Sequence, residues 1–147
     1  MDTSVQTKQN IKQAVPFFMI SNMETSLQFY MDGLGFRIMN KWIPRDRIEW
    51  CWLQREGAAI MLQEIRKGEP HAKKFEGKLG EGVSICFQCE DALELYHEFI
   101  SKKVEVSEPF VGNNMWDIGL SDPDGYRLHF ESNTDVPEGT KYSERKK

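Results

Sequence analysis

The sequence has no excess of positive charge. Its 147 residues include 19 lysines and arginines against 23 aspartates and glutamates, a formal net charge of −4 at pH 7. Binding a nucleic-acid backbone or an anionic lipid surface requires a basic patch, and the basic runs at 73–74 and 145–147 are too short to form one. We therefore expect neither a nucleic-acid nor a membrane partner, and a small molecule becomes the favoured one.

The sequence also lacks a long apolar segment. It contains no run of 18 apolar residues, and residues 1–13 are polar almost throughout. Neither a membrane-spanning helix nor a secretion leader is predicted, so we expect a cytoplasmic protein. A chain of this length fits one domain, which buries roughly two-thirds of the surface that the unfolded chain exposes.

Cysteine is scarce, and its number is odd. Cys51, Cys86 and Cys89 provide no disulfide framework for a cytoplasmic protein. Cys86 and Cys89 have the C-x-x-C spacing, but they lie in an alternating, strand-like segment where positions three apart point to opposite faces. The spacing therefore does not favour a shared metal ion or a redox pair.

The sequence does contain one pattern of secondary structure twice, in the order strand, helix, strand, strand, strand. Apolar runs and alternation predict strands, and apolar residues at helical spacing predict two helices, the first opened by a capping box of Ser21 and Glu24. The predicted strands are 14–20, 36–43, 48–54 and 58–64 in the first half and 83–88, 104–106, 115–120 and 126–131 in the second, with helices over 21–34 and 90–103.

A fixed offset of 68 residues relates the two halves. It carries Gly57 to Gly125, Leu27 to Leu95 and Ile60 to Leu128, and an internal repeat is the economical explanation. The offset also pairs Glu49 with Asp117. We predict one domain over 14–132, made of module 1 (14–64), a linker (65–82) with at most one helical turn and module 2 (83–132), with polar tails at 1–13 and 133–147.

The most distinctive segment is the turn Asp122-Pro123-Asp124-Gly125 and the strand that follows it. Proline presets φ, the aspartates bond to the local backbone and glycine accepts positive φ, so the tetrapeptide is strong turn chemistry. The following residues alternate between apolar and polar side chains. One face of this strand therefore carries Arg127, His129 and Glu131, either as solvated surface or as part of a site.

The sequence resembles the vicinal oxygen chelate superfamily, which includes glyoxalase I, extradiol dioxygenases, and fosfomycin and bleomycin resistance proteins. The resemblance rests on residues 21–30, on Leu34-Gly35-Phe36 and on residues 122–131. It implies an α+β fold of two βαβββ modules whose curled sheets enclose a cavity, commonly in a homodimer whose interface shapes the site.

The resemblance also indicates where metal ligands lie in the metal-dependent members. The corresponding residues here are Val15, Met61, Val83 and His129, and valine and thioether side chains are unsuitable ligands for zinc, iron or manganese. The closest match in character is the metal-free bleomycin resistance proteins, so we expect no metal or other cofactor. The alternative is a zinc-, manganese- or iron-dependent lyase, transferase or dioxygenase that combines His129 with Glu131, Gln63 or Glu49.

Strand parity and the resemblance together predict a cavity that is mostly apolar with a few polar groups, as ligand pockets are. The tryptophans are either stacking platforms or core residues: Trp50 and Trp52 are expected to pack on a helix, and Trp42 and Trp116 to contact ligand or a second subunit. His129, with Glu131 beside it, is either a general base or a hydrogen-bonded cavity residue. The predicted ligand-binding residues are Phe17, Met19, Trp42, Glu49, Met61, Gln63, Phe87, Trp116, Asp117, Arg127, His129 and Glu131.

Overall fold

The computed structural model describes residues 8–66 and 77–145. Most of the predicted linker, including any helical turn in it, lies outside these residues. The first module comprises β1 (Phe17–Ile20), α1 (Met23–Leu27), a π-helical segment (Gln28–Gly33), β2 (Arg37–Trp42), β3 (Trp50–Arg55) and β4 (Ala58–Glu64). The second comprises β5 (Ser84–Gln88), α2 (Ala92–Ser101), β6 (Phe110–Gly112), β7 (Met115–Ser121), β8 (Arg127–Asn133) and a terminal 3₁₀ helix (Tyr142–Arg145).

The two modules have the same sheet topology. The first sheet has the strand order β1-β4-β3-β2 and the second the order β5-β8-β7-β6. In each sheet the first strand runs parallel to the last, and the other neighbours are antiparallel. The prediction of two βαβββ modules is therefore confirmed.

Each sheet buries one face and leaves the other open. The buried faces and the helices contribute to one continuous apolar cluster, which includes Leu53 and Leu62 from the first sheet, Ile118 and Leu128 from the second, and Phe99 from α2. Because side chains alternate along a strand, the remaining residues of each strand form a second surface. We call these surfaces the first and second open faces.

Polar contacts also join the modules. The buried Tyr30 hydroxyl donates to Oδ2 of Asp122 at 2.8 Å, and the Tyr126 hydroxyl donates to the Met19 carbonyl at 2.8 Å. Burial raises the pKa of Asp122, even though its carboxylate also accepts the backbone N–H groups of Asp124 and Tyr126. The predicted turn at 122–125 thus connects module 2 to module 1.

The first helix differs from its prediction in its N-cap and in the geometry of its second half. Asn22, not Ser21, is the N-cap, and its side chain accepts the Thr25 N–H. The carboxylate of Glu64 accepts the Met23 N–H. After Leu27 the helix widens into the π-helical segment, which contains the buried Tyr30.

The prediction of a strand at 104–106 is wrong, and the second strand of module 2 lies instead at Phe110–Gly112. Val104 and Val106 pack against the core without a ladder partner among the named strands. Asn113 and Asn114 both have positive φ, at 53° and 62°, which favours a tight hairpin turn. This turn folds Phe110–Gly112 back onto β7.

The C-terminal residues, predicted as a polar tail from 133 onwards, pack on the domain as far as Arg145. Val136 and Tyr142 pack on a small cluster that contains Ala92, Val111 and Trp116. Lys141 pairs with Phe110, and the Glu138 carboxylate accepts the backbone N–H groups of the 113–114 turn. Two apolar side chains, a backbone bridge and one carboxylate together attach this polar segment to the domain.

Candidate ligand-binding site

The first open face is a row of aromatic and thioether side chains. One row across the sheet contains Phe17, Met61 and Trp52. The next row contains Met19, Gln63, Trp50 and, on β2, Trp42. Phe17 and Trp42 are 52% and 49% exposed, and the others are partly buried. Large apolar side chains in such a continuous open surface are characteristic of a binding region.

Trp50 and Trp52 therefore do not pack on a helix, contrary to the prediction from the sequence. Cys51 and Leu53 are fully buried, so they take the core face of β3 and the tryptophans take the other. The Trp52 indole N–H donates to the Gln54 side chain at 3.1 Å, and the Arg66 guanidinium lies 5.4 Å from the Trp42 ring centroid. Both contacts help to fix the orientation of the indole rings.

The second open face is polar. Its central strand, β8, contributes Arg127, His129 and Glu131, which lie beside Ser84, Cys86 and Gln88 of β5. On the other side, β7 places Asp117 directly opposite Glu131 and Gly119 opposite His129. The two open faces therefore differ in chemistry although the modules share one topology.

Hydrogen bonds hold three of these side chains. Nδ1 of His129 lies 2.9 Å from Oδ1 of Asp117, and both side chains are partly buried. The Gln88 amide donates to Glu131 at 2.7 Å, and Arg127 donates to the Ser121 hydroxyl at 2.9 Å. With Nδ1–H directed to the carboxylate, Nε2 is the imidazole nitrogen left for a ligand.

Gly119 provides the space for this arrangement. A Cβ atom at this position would lie 2.9 Å from Nη2 of Arg127 and 3.3 Å from Cε1 of His129. The guanidinium and the imidazole thus share the space above one glycine. Gly119 could not be selected from the sequence, because only the register of β7 against β8 places it there.

Phe87 does not lie on the same face as His129. It pairs with Phe130, stacks on it with ring centroids 4.8 Å apart, and contacts the core. Cys86, not Ile85, is the neighbour of His129, so the first strands of the two modules are related by 69 positions instead of 68. Ile85, like Phe87, therefore takes the core side of β5. Phe87 instead lines a cleft of about 320 Å³ between the modules, together with Phe36 and Arg55.

Glu49, which the 68-residue offset relates to Asp117, does not share the exposed position of Asp117 on an open face. It is 3% exposed and forms ion pairs with Arg45 and Arg66. The hydrogen bond from Arg45, followed by the charges of both arginines, lowers the pKa of Glu49. Because Arg66 also lies over the Trp42 ring, the buried Glu49 carboxylate is held next to the edge of the first open face.

Trp116 does not reach an open face either. It is 5% exposed and lies beneath Tyr142 and Arg145, whose guanidinium is 5.7 Å from the indole centroid. Its neighbour Asp117 takes the open side of β7. Trp116 is therefore a core residue of module 2 rather than a residue of the ligand face.

The residues on these faces do not fit a divalent metal. Among the described residues, no group of three or more histidine, cysteine, aspartate or glutamate side chains could hold one. Met61 takes the place on the first open face that His129 takes on the second. Gln63 and Glu131 lie in different sheets, and the Glu49 carboxylate is paired with arginines. The three cysteines are free, and burial raises the pKa of each thiol, to about 11 for Cys51.

Two βαβββ modules, each with a helix on one side of its sheet and an open face on the other, define a class of paired-module proteins. The family model for the Glyoxalase/Bleomycin resistance protein/Dioxygenase superfamily matches residues 11–130, and the chain belongs to this family. No functionally curated protein matches the sequence. In the described residues, no helix is both long and apolar enough to cross a membrane.

Solved structures share the fold. TioX from Micromonospora sp. ML1 is 14% identical, with a TM-score of 0.66 over 83% of this chain and 98% of its own. TnmS3, an antibiotic binding protein from Streptomyces sp. CB03234, is 19% identical, with a TM-score of 0.61 over 86% of this chain and 100% of its own. An integron cassette protein from the Halifax Harbour sewage outfall metagenome is 25% identical, with a TM-score of 0.61 over 83% and 99%.

Proposed function

We propose that this protein binds a small organic molecule with a flat aromatic part, without a metal ion. The observation that carries the proposal is the first open face, where Phe17, Trp42, Trp50 and Trp52 lie with Met19 and Met61 in one surface. Aromatic and thioether side chains stack favourably on planar rings, and tryptophan also attracts cations. The relative described as an antibiotic binding protein supports a sequestering role over a reaction.

The second open face supplies the polar end of the proposed site. Asp117 and Glu131 lie directly opposite each other, and like charges so placed are stabilised by a cation between them. A ligand with an aromatic body and a basic group would satisfy both faces. His129 and Arg127 would then set the orientation of its hydrogen-bonding groups.

The proposal includes a homodimer in which the first open face of one subunit covers the second open face of its partner. Exposed apolar side chains occur at both edges of the first sheet, Phe17 on β1 and Met39 and Trp42 on β2 with Ile43 directly after it, and they support a covering protein surface. The aromatic face and the polar face would then form the two walls of one cavity. Each dimer would contain two such cavities.

The test is a thermal-shift and fluorescence-quenching titration of the full chain, with and without EDTA. The probes are 9-aminoacridine, a planar cation, anthraquinone-2-sulfonate, a planar anion, and choline, a cation without a ring. We expect a rise in melting temperature with 9-aminoacridine that EDTA does not change and that choline does not produce. Binding that appears only with zinc, manganese or iron would overturn the proposal.

Matched variants locate the site. Trp52→Leu removes an open-face indole and should weaken 9-aminoacridine binding by about 10-fold, the effect of about 1.4 kcal/mol. Trp116→Phe, a conservative change beneath the C-terminal segment, should leave the affinity unchanged. For the dimer, a mixture of Trp52→Leu and His129→Gln subunits should recover part of the lost binding, because one cavity of a mixed dimer has both walls intact. Equal effects of Trp52→Leu and Trp116→Phe would place the ligand elsewhere.

A further inference from the structure

A groove lies on the helical side of the first sheet, across the sheet from its open face. Its apolar floor is formed by side chains of α1, the π-helical segment and the loop before β3, namely Met23, Leu27, Met31 and Ile48. Met23 is buried, and its sulfur lies 3.9 Å from the thiol of Cys51, which takes the core face of β3. The sheet therefore separates this groove from the proposed aromatic site. We call it the helix groove.

The helix groove has the dimensions of a small-molecule site. Its volume is about 470 Å³, within the range of ligand pockets. Three of its four apolar floor side chains are only half-buried, so a ligand would remove further apolar surface from water. At the rise of an α-helix, positions 24 and 32 lie about 12 Å apart along the axis. A groove of this length suits a small molecule, whereas a stable protein interface buries about 800 Å² on each partner.

The rim of the helix groove carries two carboxylates. Glu24, Gln28 and Asp32 line the groove at intervals of four residues and form one row beside its floor. Glu24 and Asp32 are exposed, and no described residue forms a hydrogen bond or an ion pair with either carboxylate. The row therefore places one negative charge at each of its ends, with apolar surface alongside.

Arg47 also lines the helix groove, but its charge is already compensated. One oxygen of Glu64 pairs with the Arg47 guanidinium, and the other accepts the Met23 N–H at 2.8 Å at the start of α1. An anionic ligand that recruited Arg47 would leave the Glu64 carboxylate, whose side chain is 11% exposed, without its cation. The charges of the groove therefore favour a cationic ligand over an anionic one.

From these observations we infer that the helix groove binds a linear aliphatic diamine. The methylene chain would lie on the floor of the groove, and the two ammonium groups would reach Glu24 and Asp32. A chain of about eight methylene groups matches the length of the row of rim residues. The ligand differs in chemistry from the planar molecule of the proposed function, and its binding does not depend on that function.

The experiment is isothermal titration calorimetry of the full chain with 1,8-diaminooctane, at low ionic strength because salt screens exposed charges. Three compounds serve as comparisons: 1-aminooctane has one charge, 1,4-diaminobutane has both charges on a shorter chain, and octanoate has the opposite charge. We expect 1,8-diaminooctane to bind most tightly, and each comparison compound to bind at least about 5-fold more weakly, the upper end of the contribution of one exposed ion pair.

Variants of the rim test the assignment of the charges. Glu24→Gln and Asp32→Asn should each weaken binding of 1,8-diaminooctane by about 3- to 5-fold, because each removes one ion pair with the ligand. Glu94→Gln makes the same change at an exposed position in the first turn of α2. It is the control and should retain the wild-type affinity.

Gln28→Lys separates binding from folding. Position 28 is exposed, and a lysine four residues after Glu24 stabilises a helix, so the melting temperature should not fall. The same lysine occupies the Glu24 carboxylate and repels a dication. We therefore expect the affinity for 1,8-diaminooctane to fall by about 10-fold or more.

Methyl NMR of protein that contains ¹³C-methyl-labelled methionine shows which surface a ligand occupies. Met23 and Met31 lie on the floor of the helix groove, and Met19 and Met61 lie on the first open face. We expect 1,8-diaminooctane to shift the signals of Met23 and Met31. By contrast, 9-aminoacridine should shift those of Met19 and Met61.

The outcomes keep this inference distinct from the proposed function. Binding that shifts Met23 and Met31 and is lost in Gln28→Lys supports it. Equal affinity for any comparison compound, or unchanged affinity in Gln28→Lys, overturns it. Shifts of Met19 and Met61 with 1,8-diaminooctane also overturn it and assign the diamine to the proposed aromatic site. Absence of diamine binding rejects the helix groove alone, because 9-aminoacridine tests the proposed function separately.

Discussion

Replacing Arg55 by methionine should lower the free energy of unfolding, because Arg55 joins the two modules. Arg55 extends from β3 to α2, where its guanidinium donates to both oxygens of Glu98 at 2.8 and 2.9 Å and to the Leu34 carbonyl at 2.7 Å. Hydrogen bonds to charged groups contribute about 1.5–3 kcal/mol each when well shielded, but this pair is about a quarter exposed. We therefore expect Arg55→Met to cost about 2 kcal/mol and to lower the melting temperature by about 4–8 °C.

The stability lost in Arg55→Met should depend on pH through the ionisation of Glu98. The hydrogen bonds from Arg55 lower the pKa of Glu98 below its ordinary value. The stabilisation is thus fully present above the unfolded-state pKa of a glutamate, about 4.3, and is lost as the pH falls through the lower folded-state value. The difference in unfolding free energy between wild type and Arg55→Met should narrow from pH 7 to pH 3.

Urea denaturation at several pH values measures the effect of Arg55→Met, and Lys102→Met is the control. Lys102 contacts Glu98 at 3.3 Å from an exposed position, so its loss should cost no more than about 0.5 kcal/mol. An undiminished difference between wild type and Arg55→Met at pH 3 would show that the Leu34 carbonyl or packing, rather than the ion pair, accounts for the role of Arg55. A wild-type stability for Arg55→Met at pH 7 would refute the reasoning altogether.

Two other changes test contacts that fix the modules. Tyr30→Phe removes the hydroxyl that Asp122 accepts and leaves a buried carboxylate oxygen without that donor, a loss of about 1–3 kcal/mol. Tyr30→Phe also further raises the pKa of Asp122, which burial already raises, so the loss of stability should be greatest at neutral pH and smaller where Asp122 is protonated. Chemical denaturation at pH 7 and pH 4 checks this, and a pH-independent loss would contradict it. Tyr142→Ala removes the ring that covers Trp116 and should shift tryptophan emission to the red and cost about 1–2 kcal/mol, whereas an unchanged spectrum would show that the C-terminal segment does not shield Trp116.

The fold could be predicted from the sequence because its signals are local. Apolar periodicity marks the helices, and the Asp-Pro-Asp-Gly turn together with the residues before and after it marks the β7–β8 hairpin of module 2. Within one strand, side-chain alternation is also local, so Arg127, His129 and Glu131 could be assigned to one face. The Asn113–Asn114 turn was visible in the sequence too, but its flanking residues are too few to identify β6.

The composition of the site could not be predicted in the same way. Whether Ile85 or Cys86 neighbours His129 depends on the register between β5 and β8, two strands separated by most of the module. A slip of one residue exchanges the faces. Alternation within β5 favours the observed faces, but carrying the 68-residue offset into this strand placed Phe87 on the ligand face. Gly119 was missed because only the register of β7 against β8 places it opposite His129.

The registers also show where the two halves of the chain differ in length. Phe17 and Cys86 occupy matching places, as do Trp52 and Gly119, and Met61 and His129. Counted between these places, the second copy has two residues fewer before its third strand and one more in its last hairpin. The connecting segments of the two modules thus differ in length, while the rows of facing residues keep their alignment. Loop length in this domain is therefore a variable that protein engineering can change, provided that each strand retains its partner.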